Sequence, residues 1–555
     1  MCGLDESKLF KAYQRKHFLI VDDIENFRMS MKKMMLSFGV EKVDTVKNGK
    51  EAISACKEVK YDVILCDYNL GPGKNGQQVL EELRYLKHLK HTDIFIIITA
   101  ESSKEMVMAA VENQPDGYLA KPFSQAALKQ RLDKIVDQKE ALLAINRALD
   151  QEDYPTAISL CAQEIRKKSK YRTWCIRIMA NLNYLEGNFD LARQLYTEAQ
   201  VEKELVWASL GLAKIMLAEK NYDAAEATCQ QVIVNDSQNL AAHELLADIY
   251  EQQGELKKAQ QSLEVAVAIS PLNILRQKKL GEVCVNNLNI ERATDAYRRT
   301  VGLGEHSCHD SPDAHLDFSR CLTDLCDADK SPHGKALFKE AMGVLKQVNN
   351  KYGDSNEVKI QSLLVETRAL SGQDYKEEAL KVLEEAQTLC ESNAELLSQD
   401  TSLELAKSLY SVDQGEEAQQ VLNNLAQDYQ GDKQVQMAVT DMLEDSFNYK
   451  KKVRARNLNK RGIELAEKGD FSDAITTFES ALIETPKHPG LNLNLVQTLL
   501  KVFHQAPPSI EDIELCRLCI QRVKHINEDH KQYKRFMNLM KKVNKLTSTS
   551  PEASP

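Results

Sequence analysis

Two hydrophobic rhythms divide the chain. Over the first 140 residues, short apolar runs alternate with stretches in which apolar residues recur every three or four positions. His17-Phe18-Leu19-Ile20-Val21 is one such run, and it stops at Asp22-Asp23. A helix is expected from about Asn26 to Phe38, a short strand at Val43-Asp44-Thr45-Val46, and a helix from Gly49 to Glu58. Tyr61 to Leu65 reads as a strand that runs into Cys66-Asp67, with a helix following from Gln77 to His88. Ile94 to Ile98 is a fourth strand, ending at Thr99, and a helix is expected over Lys104 to Glu112. Gly117-Tyr118-Leu119-Ala120 is the fifth strand, ending at Lys121-Pro122, and Ser124 is a good N-cap for a helix reaching Lys139. Continuously apolar strands are buried on both faces, which is the signature of a parallel sheet covered by helices. Residues 15–140 are therefore expected to form an α/β doubly wound five-stranded parallel sheet, preceded by an extension over 1–14.

After Lys139 strand patterning ceases. One stretch reads Leu246-Ala247, Tyr250, Gly254, Leu256, Ala259, Leu263, Ala266, Pro271. Small residues let two antiparallel helices approach, large ones fill the gap between them, and the proline stops the second helix. The frame recurs at Ala225, Ala259 and Ala293, 34 residues apart, with Ala157 and Ala192 before them and Ala474, Phe478, Ala481 and Pro486 near the end. Weaker units centre on Ala341, Ala379 and Ala418. Period and composition resemble tetratricopeptide repeats (TPRs), which implies an all-α helical-repeat solenoid over 145–525 with a concave groove for a protein or peptide. Spacing is irregular over 300–345 and 425–460, where altered helices are expected. A basic helix over 531–546 is read as a cap, and 547–555 as a disordered tail.

Composition narrows the function classes. The 555 residues carry a net charge of −10, so no global attraction to nucleic acid or acidic membranes is expected, and DNA is not an expected partner. The 13 cysteines are odd in number and scattered, which fits reduced thiols and a cytoplasmic location. Met1-Cys2-Gly3-Leu4-Asp5-Glu6 is not a signal peptide, and no stretch approaches the ~18 apolar residues that span a bilayer.

The chemistry lies at the strand ends. In an open parallel sheet these ends converge on one edge. Here they deliver Asp22 and Asp23, Asp67, Thr99 and Lys121. Clustered carboxylates need a cation, and oxygen donors suit Mg²⁺. A lysine and a hydroxyl at the same edge can bind phosphoryl oxygens, so the set reads as phosphoryl-transfer machinery. An isolated Asp-Asp pair would mean little; the joint occurrence carries the reading. The first strand–helix turn, Asp22-Asp23-Ile24-Glu25-Asn26, lacks the glycines of a dinucleotide site.

In order and spacing these residues resemble the receiver domain of two-component response regulators, the CheY-like fold, over about 15–140. The resemblance implies that Asp67 is the phosphoacceptor, served by a histidine kinase or phosphotransfer protein. It implies Mg²⁺ held by Asp23, Asp67 and the backbone carbonyl of Asn69, with Asp22 acting through water. Lys121 and Thr99 would bind the phosphoryl group, Tyr118 would turn inward behind Thr99, and the bond before Pro122 would be cis. Asn69 and Glu101 occupy the positions that tune phosphoryl lifetime. The loop Leu70-Gly71-Pro72-Gly73-Lys74-Asn75-Gly76 is one residue longer than usual in the family.

Other candidates read more simply as structure. His306, Cys308, His309 and Asp310 fit no tetrahedral zinc spacing and are taken as an inter-repeat loop. Cys516 and Cys519 share one helix face and are taken as core. The basic run from Lys450 to Arg461 is taken as a solvated helix face, with docking of an acidic partner or RNA as the sharper alternative. The expected function is phosphorelay signalling with protein interaction as output and no enzymatic activity beyond phosphorylation of its own aspartate and hydrolysis of that bond. A transcription regulator and a phosphate sink for a kinase are the alternatives.

Overall fold

A computed structural model describes residues 6–100, 112, 114–202, 205–393, 397–444, 449–503, 507–526 and 532–548. The chain forms two compact units, Met1–Ala314 and His315–Pro555.

The first unit opens with a five-stranded sheet in the order β2-β1-β3-β4-β5. The strands are β1 His17–Val21, β2 Lys42–Val46, β3 Val63–Asp67, β4 Ile94–Thr99 and β5 Gly117–Ala120, every neighbouring pair parallel. Strand order reverses on either side of β1, which opens a crevice at the carboxyl ends of β1 and β3. Alternate residues feed opposite cores. Phe18, Ile20, Val63, Leu65 and Ile96 pack with Met31, Leu128 and Leu132 on one face. Leu19, Val21, Ile64, Cys66 and Phe95 pack with Val79, Leu80 and Leu83 on the other. Both faces are buried, so β3 and β4 read as unbroken apolar runs. The edge strand β2 keeps polar, partly exposed positions.

Two of the boundaries that differ from the sequence reading flank Asp67. The third strand starts at Val63 and includes Asp67 itself, whose residue pairs with Ile98. The helix expected to reach His88 ends at Tyr85, because Lys87 adopts φ 56° and the His88 N–H turns back to the Leu83 carbonyl at 2.8 Å. Of the helix expected over 104–112, only Glu112 lies within the described residues. The helix Glu6–Arg15 packs onto the sheet domain: Tyr13 donates to Asp133 at 2.7 Å, and Arg15 and Lys16 pair with Glu140 at 3.3 and 3.0 Å.

From Leu143–Asp150 onward the described elements are all helices, most of them packed against their neighbours in sequence. Ala225, Ala259 and Ala293 are fully buried at helix crossings. A Cβ on Gly211 would sit 2.4 Å from the Tyr196 ring and one on Gly462 2.5 Å from the Phe478 ring, so the small residue and the aromatic are one packing unit. The irregular spacing over 300–345 and 425–460 comes from helices of unusual length, 21 residues for Pro332–Tyr352 and 20 for Tyr449–Lys468.

A buried ionic network whose residues all lie in the second unit joins three helices, Pro312–Cys326 (which starts at the boundary), Asn356–Gly372 and Gln399–Ser411. Arg368 donates to Glu404 at 2.6 Å and to Asp324, while Arg320 reaches Glu404 at 3.2 Å and Gln361 at 2.8 Å. Cys516 and Cys519 are buried in the core of the last repeats. The basic run lies on the helix Tyr449–Lys468. The terminal basic helix spans Tyr533–Ser548, two residues beyond the expected cap, and 549–555 lie outside the described residues. No described helix is long and apolar enough to cross a membrane.

Candidate functional site

β1 and β3 deliver their terminal carboxylates into the crevice between them. Asp22 follows β1 directly and is 1% exposed, and its amide donates to the Val46 carbonyl at 3.3 Å. Its Oδ1 accepts the Ile24 N–H at 2.9 Å and its carbonyl accepts Arg28 Nη1 at 2.7 Å, so the acidic turn is locked before the helix Glu25–Ser37 begins. Asp67 closes β3 and is 6% exposed, while Asp23 lies open at the mouth. Oxygens from Asp22, Asp23 and Asp67 fall within 4.8 Å of one another. Among the described residues this is the only His, Cys, Asp or Glu group that converges in this way, and 306–310 form no such group. Three hard oxygen donors in one crevice fit Mg²⁺, which keeps several waters and takes few carboxylates.

Lys121 counters the charge. Its Nζ lies 2.9 Å from Asp22 Oδ2 and 3.2 Å from Asp67 Oδ2, and 4.1 Å from the centre of the Phe27 ring. β5 aims it there: Thr99 pairs with Ala120, and the Lys121 amide donates to the Thr99 carbonyl at 2.6 Å. The Lys121-Pro122 bond is cis. Burial raises the Asp67 carboxyl, Lys121 draws it back and Asp22 pushes it up again, leaving it at about 6 rather than 3.8. At neutral pH the Asp67 side chain is thus a carboxylate, paired with the Lys121 ammonium at 3.2 Å.

Thr99 is buried at the end of β4, and Tyr118, half-buried on β5, packs against the core behind it. Asn69 is exposed two residues after Asp67, with its side chain accepting the Gly71 N–H at 3.2 Å. The structure therefore brings Asp22, Asp23, Asp67 and Lys121 into contact distance and sets Thr99, Tyr118 and Asn69 around them. Glu101 lies outside the described residues.

Residues 18–133 match the family described as response regulator receiver domain. The chain is 33% identical over 120 residues to the chemotaxis protein CheY-3 of Vibrio cholerae serotype O1, covering 22% of this chain and 91% of that protein. This chain belongs to the response regulator receiver family. The chemotaxis protein CheY of Pseudomonas aeruginosa is 28% identical over 120 residues, 22% of this chain and 95% of that protein. Among solved structures, the chemotaxis response regulator CheY4 of Vibrio cholerae is 25% identical and aligns with 22% of this chain and 98% of its own, at a TM-score of 0.20. Residues 184–238 and 240–271 match tetratricopeptide repeat families, so the receiver is followed by TPRs.

Two residues of the receiver site escape sequence reasoning. Gly76 opens the helix Gly76–Tyr85, and a Cβ there would lie 2.2 Å from the Asp67 carbonyl oxygen. Its amide donates to the Tyr68 carbonyl at 2.8 Å, so the loop after Asp67 closes on a residue without a side chain. The signal was present as the last glycine of the elongated loop. Phe27 covers one side of Lys121, a role that a helical phenylalanine does not announce.

Proposed function

We propose that this protein is a phosphorelay response regulator whose output is protein–protein interaction through its TPRs. The bridging of Asp22 and Asp67 by Lys121 at the switch point of the sheet carries this reading. Asp67 Oδ attacks the phosphorus of a phosphohistidine on a histidine kinase or phosphotransfer protein. The new O–P bond forms as the P–N bond breaks, and the imidazole leaves. Asp22, Asp23, Asp67 and the Asn69 carbonyl would hold Mg²⁺, which supplies charge neutralisation for the transferring group. Lys121 shifts its ammonium from the two carboxylates to a phosphoryl oxygen. The Thr99 hydroxyl donates to a second oxygen, and Tyr118 fills the space that Thr99 vacates. Attack of water on the acyl phosphate returns the aspartate and releases phosphate, and no further enzymatic activity is assigned to the chain.

The TPRs support the output half of the reading, since stacked helix pairs present a groove for an extended or helical peptide. A cytoplasmic location belongs to the same proposal and is supported by the free cysteines of the described residues. The test is phosphotransfer from a histidine kinase to wild type and Asp67→Asn, with parallel affinity capture of partners. Label on wild type alone, and a partner set that differs between the two, support the proposal. Undiminished label on Asp67→Asn removes it.

A further inference from the structure

Within the first unit, the acceptor edge of the receiver is met by the segment 270–309 of the repeats. On one side of the acceptor loop, Lys74 Nζ donates to the His306 carbonyl and Gln78 Nε2 to the Glu305 carbonyl at 3.1 Å. Tyr85 and His309 meet edge to face at 6.3 Å. On the other side, Glu112, in the crossover that leads from Thr99 to β5, reaches the N-terminus of the helix Ile274–Asn286. Its Oε2 accepts Asn273 Nδ2 at 3.0 Å and Arg276 Nη2 at 2.9 Å. Arg276 is 5% exposed and also donates to Glu244 at 2.8 Å and to the Ser270 carbonyl at 2.7 Å. The other oxygen of Glu112 is buried with no hydrogen-bond partner among the described residues. Between these two contacts lies a cavity of about 410 Å³, with Asn69, Gly71 and Gly73 on the receiver side and Leu272, Ile274 and Leu303 facing them.

We propose that this surface is an internal docking site, occupied by the receiver's acceptor loop and Glu112, and that loading Asp67 loosens it. The inference rests on Asp67 being the phosphoacceptor. Its direction follows from the chemistry of the two walls. Loading brings a hydrated cation and a doubly charged phosphoryl group to the mouth formed by Asn69, and an apolar wall of two leucines and an isoleucine offers them no hydrogen bond. Drawing the Asn69 carbonyl toward a metal also displaces the loop that carries Lys74 and Gln78. The extra residue in that loop, with Gly71 and Gly73 at φ 73° and 103°, supplies the reach that docking needs. Because coupling is reciprocal, docking opposes loading by the same factor that loading opposes docking.

The test uses the full chain with Mg²⁺ and beryllium fluoride, a stand-in for the phosphoryl group, titrated by fluorine NMR. Glu112→Lys sets a cation against Arg276 from the receiver side. Leu303→Asp puts a charge into the apolar wall from the repeat side and leaves every residue of the receiver itself unchanged. Each variant is expected to bind beryllium fluoride about fivefold or more tightly than wild type, the lower end of ordinary allosteric coupling. Loading is expected to speed amide exchange across 272–286 in wild type and to leave it unchanged in the variants. Equal or weaker binding by Leu303→Asp, with wild type still binding, overturns the docking inference alone. Absence of binding in wild type overturns the phosphoacceptor reading and this inference with it.

Discussion

Replacing Asp67 with asparagine should make the metal-free receiver more stable, although it removes the residue on which the site depends. The wild-type carboxyl is held at about 6, against 3.8 for an unperturbed aspartate. Burial is the main cause, with Lys121 opposing it and Asp22 adding to it. A raised folded-state value means that the native protein binds more protons than the unfolded chain between pH 4 and 6, so stability falls as pH rises through that window. Roughly two decades of proton affinity at 1.36 kcal/mol each set a ceiling of about 3 kcal/mol on the loss at pH 7.5. The asparagine side chain carries no charge at any pH and escapes the loss. Asp67→Asn should therefore stabilise the receiver by about 1–3 kcal/mol at pH 7.5 and by almost nothing at pH 4. The assay is urea unfolding equilibrated at each pH and read by pulsed hydrogen exchange of peptides covering 63–67 and 94–99, which isolates the receiver from the repeats. Saturating Mg²⁺ should reverse the order at pH 7.5, because the cation stabilises only the full carboxylate set. An Asp67→Asn protein less stable than wild type at pH 7.5 without metal, or a gain of equal size at both pH values, would refute the reasoning.

Other expected outcomes concern packing and charge. Gly76→Ala drives a Cβ against the Asp67 carbonyl, so the acceptor loop must shift, and acetyl phosphate should label the variant at least tenfold more slowly while the repeats melt as before. Arg368→Ala takes the arginine from Asp324 and leaves buried Glu404 with Arg320 as its remaining close partner, and should cost the second unit about 3–5 kcal/mol in urea titrations. Lys330→Ala removes an ion pair whose partners are both more than half exposed and should cost at most about 1 kcal/mol in the same assay. Gly462→Ala forces its methyl into the Phe478 ring and should raise amide exchange in 449–484 without altering phosphorylation of Asp67.

The sheet and its edge are legible in the sequence because both rest on local patterns. Continuous apolar runs that stop at a charged residue mark β1 and β3, and parallel topology brings those stops together. Lys121 and Asp22 lie 99 residues apart in sequence yet are bonded in space, and the pattern predicts this because each sits one step beyond a strand. The helix Glu6–Arg15 carries Leu9, Ala12 and Tyr13 at helical spacing, but nothing local says that Tyr13 will reach Asp133. The pairing of Glu112 with Arg276 is further from view. It links residues 164 apart across two kinds of architecture, and neither partner stands in a motif. Gly76 shows a third kind of limit, since the constraint comes from the absence of a side chain beside a backbone oxygen.

The Arg320–Arg368–Glu404 network changes how the second unit should come apart. Stacked repeats ordinarily lose order one at a time from either end, because each touches only its neighbours. Here helices in three successive pairs share one set of buried charges, and opening any one of them takes a partner away from charges that stay buried on the others. The stretch 312–411 should therefore behave as a single cooperative block. Limited proteolysis should trim the array toward this block and then stall, leaving a resistant fragment larger than any one repeat.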